Sequence, residues 1–433
     1  MQYKENLINK FKSKDAVIGI FGLGYVGLPL SLNYVRAGYK VIGFDIDLHK
    51  INTLSKGKST FKLVDSSFYD YIKSKKFIPT INFKEASLVD ALIICVPTPL
   101  NKHNQPNLDY IYNAITLVSP HLKKGQVMSL ESTTYPGTTE EELKPRIESK
   151  GFEVGEDFFI VYSPEREDPG NKAFKTKEIP KIVSGITKSC LEVGIELYKE
   201  TISSLVPVSD TKTAEMTKLL ENIHRSVNIG LMNELKPLTQ KMGIDIYEVI
   251  KAAATKPFGF VPYYPGPGLG GHCIPIDPFY LSWKAKEYNC NIKFIELAAE
   301  INTSMPSYVV DQVVNILNTK KMPINGSRIL ILGLAYKKNI DDIRESPALE
   351  IISLLQNKGA SITFNDPYIE KLENQNLKKL IKIELTESAI SSQDAIILVT
   401  DHDLFNYDLI SKMGKLIIDT RGRFKKAKNI FSA

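Results

Sequence analysis

Cysteine is scarce in this sequence, and its few cysteines follow no pattern. The 433-residue chain contains four, Cys95, Cys190, Cys273 and Cys290. They lie far apart and none belongs to a C-x-x-C pair, so we expect no disulfide framework. The pair His272–Cys273 has no second pair at ligand spacing, and we therefore expect no metal site.

Long hydrophobic runs are also absent. No apolar segment approaches the roughly 18 residues that a membrane-spanning helix needs. The segment KENLINKFKSKD (4–15) is charged and lacks the apolar core of a signal peptide. With 43% hydrophobic and 24% charged residues, the composition is typical of a globular protein with packed cores. We expect a cytoplasmic protein that does not associate with membranes.

Positive charge is slight, with a formal net charge of +6. The basic stretches at 73–76 and 425–428 lack interleaved aromatic residues, which favours solvated surface over a nucleic-acid groove. We therefore expect no nucleic-acid partner. A mild positive balance suits an anionic small substrate.

Strand-like apolar runs alternate with amphipathic stretches in both halves of the chain, a pattern typical of parallel doubly wound sheets. A long helical stretch (211–242), a Gly/Pro-rich loop and more helix to about residue 320 separate the two halves. We predict an α/β protein with two Rossmann-like domains, at 1–205 and 321–433, joined by a central helical region at 206–320. The predicted strands are AVIGIF (16–21), KVIGFDI (40–46), ALIICVP (91–97), VMSLEST (127–133), FFIVYSP (158–164), RILILGLAY (328–336), ASITFNDP (360–367), DAIILVTD (394–401) and KLIIDTRG (415–422).

A dinucleotide motif follows the first predicted strand. Its six residues are Gly22, Leu23, Gly24, Tyr25, Val26 and Gly27. In a GxGxxG motif the glycines permit a tight turn, close approach of a pyrophosphate, and close helix–strand packing. Asp45 ends the second strand, where a carboxylate can bind the ribose hydroxyls and repel a 2′-phosphate, so we predict NAD rather than NADP. The alternative is that these glycines only form a turn.

Two further loops leave the carboxyl edge of the same predicted sheet, where ligands bind in such folds. Thr98 lies in one and Thr133 in the other. We assign both residues to the cofactor site.

Cys273 is the candidate nucleophile. It lies in the loop GPGLGGHCIPIDP, four residues before Asp277. A helix that begins near Pro275 would place the thiol close to a helix N-terminus, which lowers the pKa of a thiol. The alternative is an inert buried thiol.

A polar stripe on the central helix supplies possible partners. Lys218, Asn222 and Arg225 are spaced i, i+4, i+7 and therefore share one face of the helix. The alternative is an ordinary solvated face.

Taken together, these motifs resemble the UDP-glucose/GDP-mannose dehydrogenase family over nearly the whole chain. The matching segments are GxGYVG (22–27), STTYPGTT (132–139), SPER (163–166), KLLEN (218–222), GGHCIP (270–275) and GLAYKKNIDDIRES (333–346). The resemblance implies an NAD domain, a central helix used for dimerisation, and a C-terminal domain that binds UDP. It further implies a UDP-sugar substrate, a homodimer or higher oligomer, and a place in polysaccharide biosynthesis.

The family mechanism, carried over to this chain, is oxidation of a sugar primary alcohol to a carboxylate through a thiohemiacetal and a thioester on Cys273. Lys218 would stabilise the oxyanion, and Asp277, Glu165 and Thr133 would position or activate water. The resemblance implies that Arg344 reaches NAD. The substrate residues that we assign are Glu165, Arg166, Lys218, Asn222, Arg225, Tyr264, Gly268, Gly270, Tyr336, Lys337 and Arg421.

Two departures from the UDP-glucose branch narrow the substrate. Arg166 follows Glu165 where that branch has an aromatic residue, and GGHCIPIDP has Ile276 where that branch has lysine. Both features resemble the branch that acts on UDP-N-acetylhexosamines, and we favour UDP-N-acetylglucosamine. The alternatives are the manno- and galacto-isomers, UDP-glucose, a two-electron hydroxyacid or 6-phosphogluconate-type dehydrogenase, and a non-catalytic nucleotide-sugar-binding protein.

Overall fold

The computed structural model describes residues 2–59, 67–166, 176–271, 274–370, 372 and 380–433. These divide into two compact units. The first comprises Met1–Glu221 and Phe279–Asn289, and the second comprises Asn222–Pro278 and Cys290–Ala433.

The first unit contains an eight-stranded sheet of order β3-β2-β1-β4-β5-β6-β7-β8, in which neighbours are parallel except β6 and β7. Its strands are β1 (Val17–Phe21), β2 (Lys40–Phe44), β3 (Phe77–Thr80), β4 (Ala91–Ile94), β5 (Gln126–Leu130), β6 (Phe158–Tyr162), β7 (Lys181–Gly185) and β8 (Leu205–Pro207). Its helices are α1 (Gln2–Ser13), α2 (Gly27–Ala37), α3 (Leu48–Ser55), α4 (Phe68–Lys73), α5 (Asp109–Val118), α6 (Lys144–Glu148) and α7 (Lys188–Tyr198). The strands β4, β5 and β6 are buried along their whole length, which explains their continuous apolar sequences.

The helical middle of the chain follows. Its helices are α8 (Thr211–Lys241), α9 (Ile246–Ala253), α10 (Asp277–Ala285) and α11 (Lys293–Thr319). The helix α8 contributes residues to both units, since the division falls after Glu221.

The second unit contains a six-stranded parallel sheet of order β11-β10-β9-β12-β13-β14. Its strands are β9 (Arg328–Leu332), β10 (Ser361–Asn365), β11 (Ile381–Lys382), β12 (Ala395–Leu398), β13 (Ile417–Asp419) and β14 (Ile430–Ser432), and its later helices are α12 (Pro347–Asn357), α13 (Glu387–Ser392) and α14 (Tyr407–Met413). The predicted fold class, two parallel α/β sheets with helices between them in the chain, is confirmed.

The first βα loop of each sheet is fixed by the same kind of contact. In the first unit, Asp45 Oδ2 accepts a hydrogen bond from Leu23 N at 2.9 Å. In the second, Asp366 Oδ2 accepts one from Leu334 N at 2.7 Å. An acid at the end of the second strand therefore orders the loop after the first strand in both units.

Within the part of the chain that the structure describes, no helix is both long and apolar enough to span a membrane.

Candidate active site

The glycines of the first βα loop have three different geometries. Gly22 has φ +92°, and a Cβ there would lie 2.8 Å from the Cys95 carbonyl oxygen. A Cβ on Gly24 would meet nothing within 4 Å, whereas one on Gly27 would lie 1.9 Å from the Gly22 carbonyl oxygen. The loop therefore turns tightly, leaves open space at its second glycine, and packs closely against α2. This arrangement fits a dinucleotide pyrophosphate at the start of α2.

Asp45 is buried beside this loop and is paired with Lys50. Its Oδ2 lies 2.7 Å from Lys50 Nζ, and its Oδ1 accepts a bond from Asp47 N at 3.0 Å. The carboxylate therefore orders the glycine loop and also holds a cation beside it. Sequence reasoning missed Lys50; its position two residues into α3 after Asp45 is the available signal.

The Thr98 and Thr133 loops lie at the carboxyl ends of the neighbouring strands β4 and β5. Ser132 Oγ donates to Val96 O at 2.6 Å, which joins the two loops. Tyr280 OH donates to Thr98 O at 3.0 Å. Both threonines are therefore brought to the sheet edge at which the glycine loop lies.

Glu215, in the first turns of α8, anchors the end of the Thr133 loop. Its carboxylate accepts bonds from Gly137 N at 2.6 Å, Thr139 N at 2.8 Å and Thr139 Oγ1 at 2.7 Å. Burial raises the pKa of Glu215 to about 7. The contact fixes the part of α8 that carries Lys218, one turn further on. Sequence reasoning missed this residue.

Lys218 and Glu165 come together in the first unit. The Lys218 side chain is buried, and its Nζ donates to the Glu165 carbonyl oxygen at 2.5 Å. The Glu165 carboxylate accepts a bond from Arg166 N at 2.7 Å and lies 3.4 Å from Lys181 Nζ. The lysine therefore fixes the backbone of the residue that sequence reasoning assigned to water activation.

Arg166 is held by protein groups. Its guanidinium forms a short salt bridge with Glu221 and donates to the Pro180 carbonyl oxygen at 2.7 Å. Arg225, by contrast, is exposed on α8. Arg166 therefore forms a salt bridge within the protein.

Asn222 and Asp277 meet in the second unit. Asn222 Nδ2 donates to Asp277 Oδ2 at 2.5 Å, and Asp277 is only 2% exposed. The helix α10 begins at Asp277, close to the helix start expected near Pro275. Cys273 itself lies outside the described residues.

The glycine loop that precedes Cys273 packs on the segment 333–346. Gly271 N donates to Arg344 O at 3.2 Å. A Cβ on Gly270 would lie 2.5 Å from Tyr336 Cβ, and one on Gly268 (φ +134°) would lie 3.1 Å from Pro347 Cβ. Glycine is thus required at position 270 by the close approach of Tyr336, and it is favoured at position 268 by the positive φ.

The other residues assigned to the cofactor or the substrate in the second unit differ in burial and in hydrogen-bond partners. Arg344 forms a salt bridge with Asp342 at 2.7 Å, so its guanidinium is bound within its own segment. Lys337 is half-buried and Tyr264 is exposed. Arg421 Nε donates to Val399 O at 2.7 Å. These contacts bring Arg421 to the carboxyl edge of the second sheet.

Lys236, which sequence reasoning missed, contacts the backbone next to Arg421. It is 1% exposed, and its Nζ donates to Thr420 O at 3.1 Å. Tyr247 OH donates to the same oxygen at 2.7 Å. Burial lowers the pKa of Lys236 to about 7. The two side chains fix the backbone that presents Arg421.

Three family models match the chain in succession. They are the NAD binding domain (residues 16–202), central domain (212–304) and UDP binding domain (330–426) of the UDP-glucose/GDP-mannose dehydrogenase family. The chain is 35% identical to a UDP-N-acetyl-D-glucosamine 6-dehydrogenase of Pseudomonas aeruginosa over 407 residues, which cover 93% of this chain and 95% of the relative.

Relatives of a different sugar preference match almost as well. The chain is 33% identical to a UDP-N-acetyl-D-mannosamine dehydrogenase of Methanococcus vannielii, with 95% and 93% of the two chains covered. The solved structure of a UDP-D-ManNAc dehydrogenase from Pyrococcus horikoshii superposes with a TM-score of 0.86 at 31% identity, covering 96% of this chain and 98% of that chain. The comparisons therefore leave the sugar open.

Proposed function

The chain belongs to the UDP-glucose/GDP-mannose dehydrogenase family as an NAD-dependent UDP-sugar dehydrogenase, and on that premise we propose that it oxidises C6 of a UDP-N-acetylhexosamine to the carboxylate. We propose UDP-N-acetylglucosamine as the preferred substrate. The observation that carries it is the bond from Asn222 to the buried Asp277, four residues after Cys273. A buried carboxylate held by an amide, close in sequence to a candidate nucleophilic cysteine, suits a reaction with a covalent intermediate that water must cleave.

In the proposed reaction, Cys273 retains the substrate between two oxidations. The C6 alcohol loses two electrons to give an aldehyde, and the Cys273 thiolate adds to the aldehyde carbon to form a thiohemiacetal. A second two-electron oxidation gives a thioester, which water cleaves to the acid and the free thiol. NAD⁺, when bound at the glycine loop, accepts the electrons of each oxidation. The covalent adduct prevents loss of a reactive aldehyde.

The other assigned side chains act on this adduct. The Lys218 ammonium stabilises the oxyanion that forms when the thiol or water adds. Asp277 and Asn222 act as a pair on the attacking water, and Glu165 and Thr133 position it. Arg344 contributes to the NAD site, whereas Arg421, Lys337, Tyr336 and Tyr264 contribute to UDP-sugar binding.

We also propose the domain limits 1–205, 206–320 and 321–433 and a homodimer formed through the central helices. Exposed apolar side chains on α8 support the dimer. They are Met216, Leu220, Leu231 and Leu238.

A screen of UDP-sugars with NAD⁺ tests the function. We expect NADH formation with UDP-N-acetylglucosamine, two NADH for each sugar consumed, and a carboxylate product. One NADH per sugar with a released aldehyde would contradict the four-electron reaction. The absence of NADH with every UDP-sugar tested would favour a binding protein.

Asp45 should set the cofactor preference. In Asp45→Ser, we expect the ratio of kcat/KM for NADP⁺ to that for NAD⁺ to rise by at least about tenfold. The substitution removes the repulsion between the Asp45 carboxylate and the 2′-phosphate of NADP⁺, and like-charge contacts cost several kcal/mol. The Lys50 ammonium remains and can attract that phosphate. Asp47→Ser is the matched control, because Asp47 is a neighbouring but exposed carboxylate. An unchanged ratio would mean that Asp45 does not face the ribose.

Arg166 should contribute to the choice of sugar. Nε and Nη2 bind Glu221 and Nη1 binds Pro180 O, so described residues engage three of the five guanidinium N–H groups. A guanidinium held in this way is a preorganised donor for an acetamide carbonyl. Such a charge-assisted bond is worth roughly 1.5–3 kcal/mol, and we expect the wild type to prefer UDP-N-acetylglucosamine over UDP-glucose by at least about tenfold.

Values of kcat/KM for both sugars on Arg166→Ala, Arg225→Ala and Glu221→Gln measure this effect. Loss of preference in Arg166→Ala, with a smaller loss in Glu221→Gln and none in Arg225→Ala, assigns the acetamide to Arg166. If Arg166→Ala and Glu221→Gln each lower kcat/KM by the same factor for the two sugars, Arg166 only forms the salt bridge with Glu221 and does not select the sugar. A wild type that prefers UDP-glucose contradicts the proposed substrate.

A further inference from the structure

A buried ionic network lies beside Glu165 in the first unit. Glu131 directly follows β5, and Lys181 begins β7. Lys181 Nζ lies 3.1 Å from Glu131 Oε2 and 3.4 Å from Glu165 Oε2. The side chain of Glu131 is 0% exposed and that of Lys181 is 6% exposed. One ammonium is therefore shared by two carboxylates, one of them assigned to the reaction.

Tyr198 completes the network from α7. Its OH donates to Glu131 Oε1 at 2.7 Å and pairs with Ser129 Oγ at 2.8 Å. Lys181 Nζ lies 5.1 Å from the centre of the Tyr198 ring and donates to the Pro164 carbonyl oxygen at 3.4 Å. The ammonium thus fixes both the side chain and the preceding backbone of Glu165.

In the part of the chain that the structure describes, Glu131 is surrounded by several groups that can carry charge. The charged and titratable groups around Glu131 are Lys181, Glu165, Tyr198, Tyr34 and, beside the lysine, Cys95. Burial raises the pKa of the Tyr198 and Tyr34 hydroxyls, which keeps them neutral. Among the described residues, Lys181 is the only ammonium paired with both carboxylates, and the Lys218 ammonium contacts the Glu165 backbone oxygen instead. Burial of these charges makes the protonation of Glu131 sensitive to its partners.

We propose that Glu131 and Lys181 are positioning residues, which hold the Glu165 carboxylate in place and control how strongly it accepts a proton from the attacking water. The inference rests on the proposed function, because it assigns Glu165 to thioester hydrolysis. When Glu131 is ionised, it competes with Glu165 for the ammonium, and Glu165 is the stronger proton acceptor. When Glu131 is protonated, the ammonium pairs with Glu165 alone and weakens it as a base.

The direction of the pH dependence follows. Burial raises the pKa of Glu131 to about 7, although Lys181 opposes the shift. Glu131 is therefore protonated below that pH and ionised above it. The hydrolysis step should accelerate as the pH rises through the neutral range.

Glu131→Gln removes the titration and keeps the shape. A glutamine can retain both contacts, because the Tyr198 hydroxyl both donates and accepts. We expect kcat above the transition to fall by about tenfold, a small part of the roughly 10²–10⁴-fold that a general base contributes. The KM for the UDP-sugar should change much less than kcat, because Glu131 has no assigned contact with the substrate and acts only on the basicity of Glu165. The rise of kcat with pH near neutrality, the rising limb of the pH profile, should disappear. The first-turnover burst of NADH should remain.

Further variants separate positioning from folding. Tyr198→Phe removes a bond to the ionised Glu131 and should move the limb to higher pH. Lys181→Met should lower kcat, because Glu165 loses the group that holds its side chain and the preceding backbone, and this loss outweighs the gain in basicity. Lys181→Arg should restore part of kcat. Asp90→Asn is the matched control: Asp90 is another buried carboxylate of this unit, paired with Lys10 at 2.8 Å, and it should keep the wild-type pH profile.

The outcomes are distinct. If the wild type forms two NADH per sugar while Glu131→Gln and Tyr198→Phe keep its pH profile, the inference is wrong and the proposed function stands. If Glu131→Gln does not fold, the position of the limb in Tyr198→Phe decides. If the wild type forms no acid from any UDP-sugar, the proposed function itself is wrong.

Discussion

Replacing Cys273 by alanine is expected to abolish four-electron oxidation, leaving at most one NADH for each sugar. The first oxidation needs no thiol, but the second requires an adduct on which the electrons can be removed. Loss of the nucleophile from a covalent mechanism lowers kcat by several orders of magnitude, and we expect a fall of at least about 10³-fold. NADH stoichiometry and product analysis measure the effect.

Cys273→Ser gives a sharper version of the same test. A serine adduct can be oxidised only to an oxygen ester, which water cleaves more slowly than a thioester because an alkoxide is a poorer leaving group. We expect the sugar to remain covalently bound and to appear in the mass of the intact protein. Cys290→Ala is the matched control, since Cys290 is exposed and should leave turnover unchanged. Full turnover by Cys273→Ala would exclude the covalent scheme.

The first strand–loop–helix unit could be predicted because its constraints are local. The positive φ of Gly22 and the close packing of Gly27 require glycine at fixed spacing. Pattern reading was less successful at the sheet edges. The predicted strands lack the four edge strands β3, β8, β11 and β14 and also the interior strand β7. The strand β3 contains Pro79, a residue that is tolerated in a strand only at a sheet edge or a similar position.

The polar contacts of the site could be predicted only where one helix supplies the residues. Lys218 and Asn222 share a face of α8 by spacing alone, but the bond from Asn222 to Asp277 joins residues 55 positions apart. Lys181 was missed for a physical reason. Lysine is normally assigned to solvent, and the acid partners that permit its burial are 50 and 16 residues away.

Arginine was the least predictable residue type. A sequence shows that Arg166 and Arg344 can bind anions, but it does not show which anion. In the described residues both guanidinium groups bind carboxylates of the protein, Glu221 and Asp342. The pairing with Asp342, two residues before Arg344, was available from the sequence as a local ion pair.

Lys218→Met is expected to have the second largest effect, a fall in kcat of roughly 10²–10³-fold, as found when one donor to a developing oxyanion is removed. Lys218 is only 8% exposed, and its Nζ donates to the Glu165 carbonyl oxygen. The ammonium is therefore held in place by the protein before the substrate binds. Methionine keeps most of the side-chain volume and removes the charge.

The kinetic pattern should identify the role of Lys218. Loss of an interaction made only in the transition state lowers kcat and kcat/KM together. Loss of an interaction made equally with the bound substrate raises KM and leaves kcat unchanged. We therefore expect Lys218→Met to bind the UDP-sugar with nearly unchanged affinity by calorimetry and to be slow in single turnover. Lys212→Met is the matched control, because Lys212 lies on the same helix, is exposed, and pairs with Glu140 at 3.1 Å; it should keep wild-type rates. If Lys218→Met loses affinity for the UDP-sugar while kcat is preserved, Lys218 holds the substrate and another group stabilises the oxyanion.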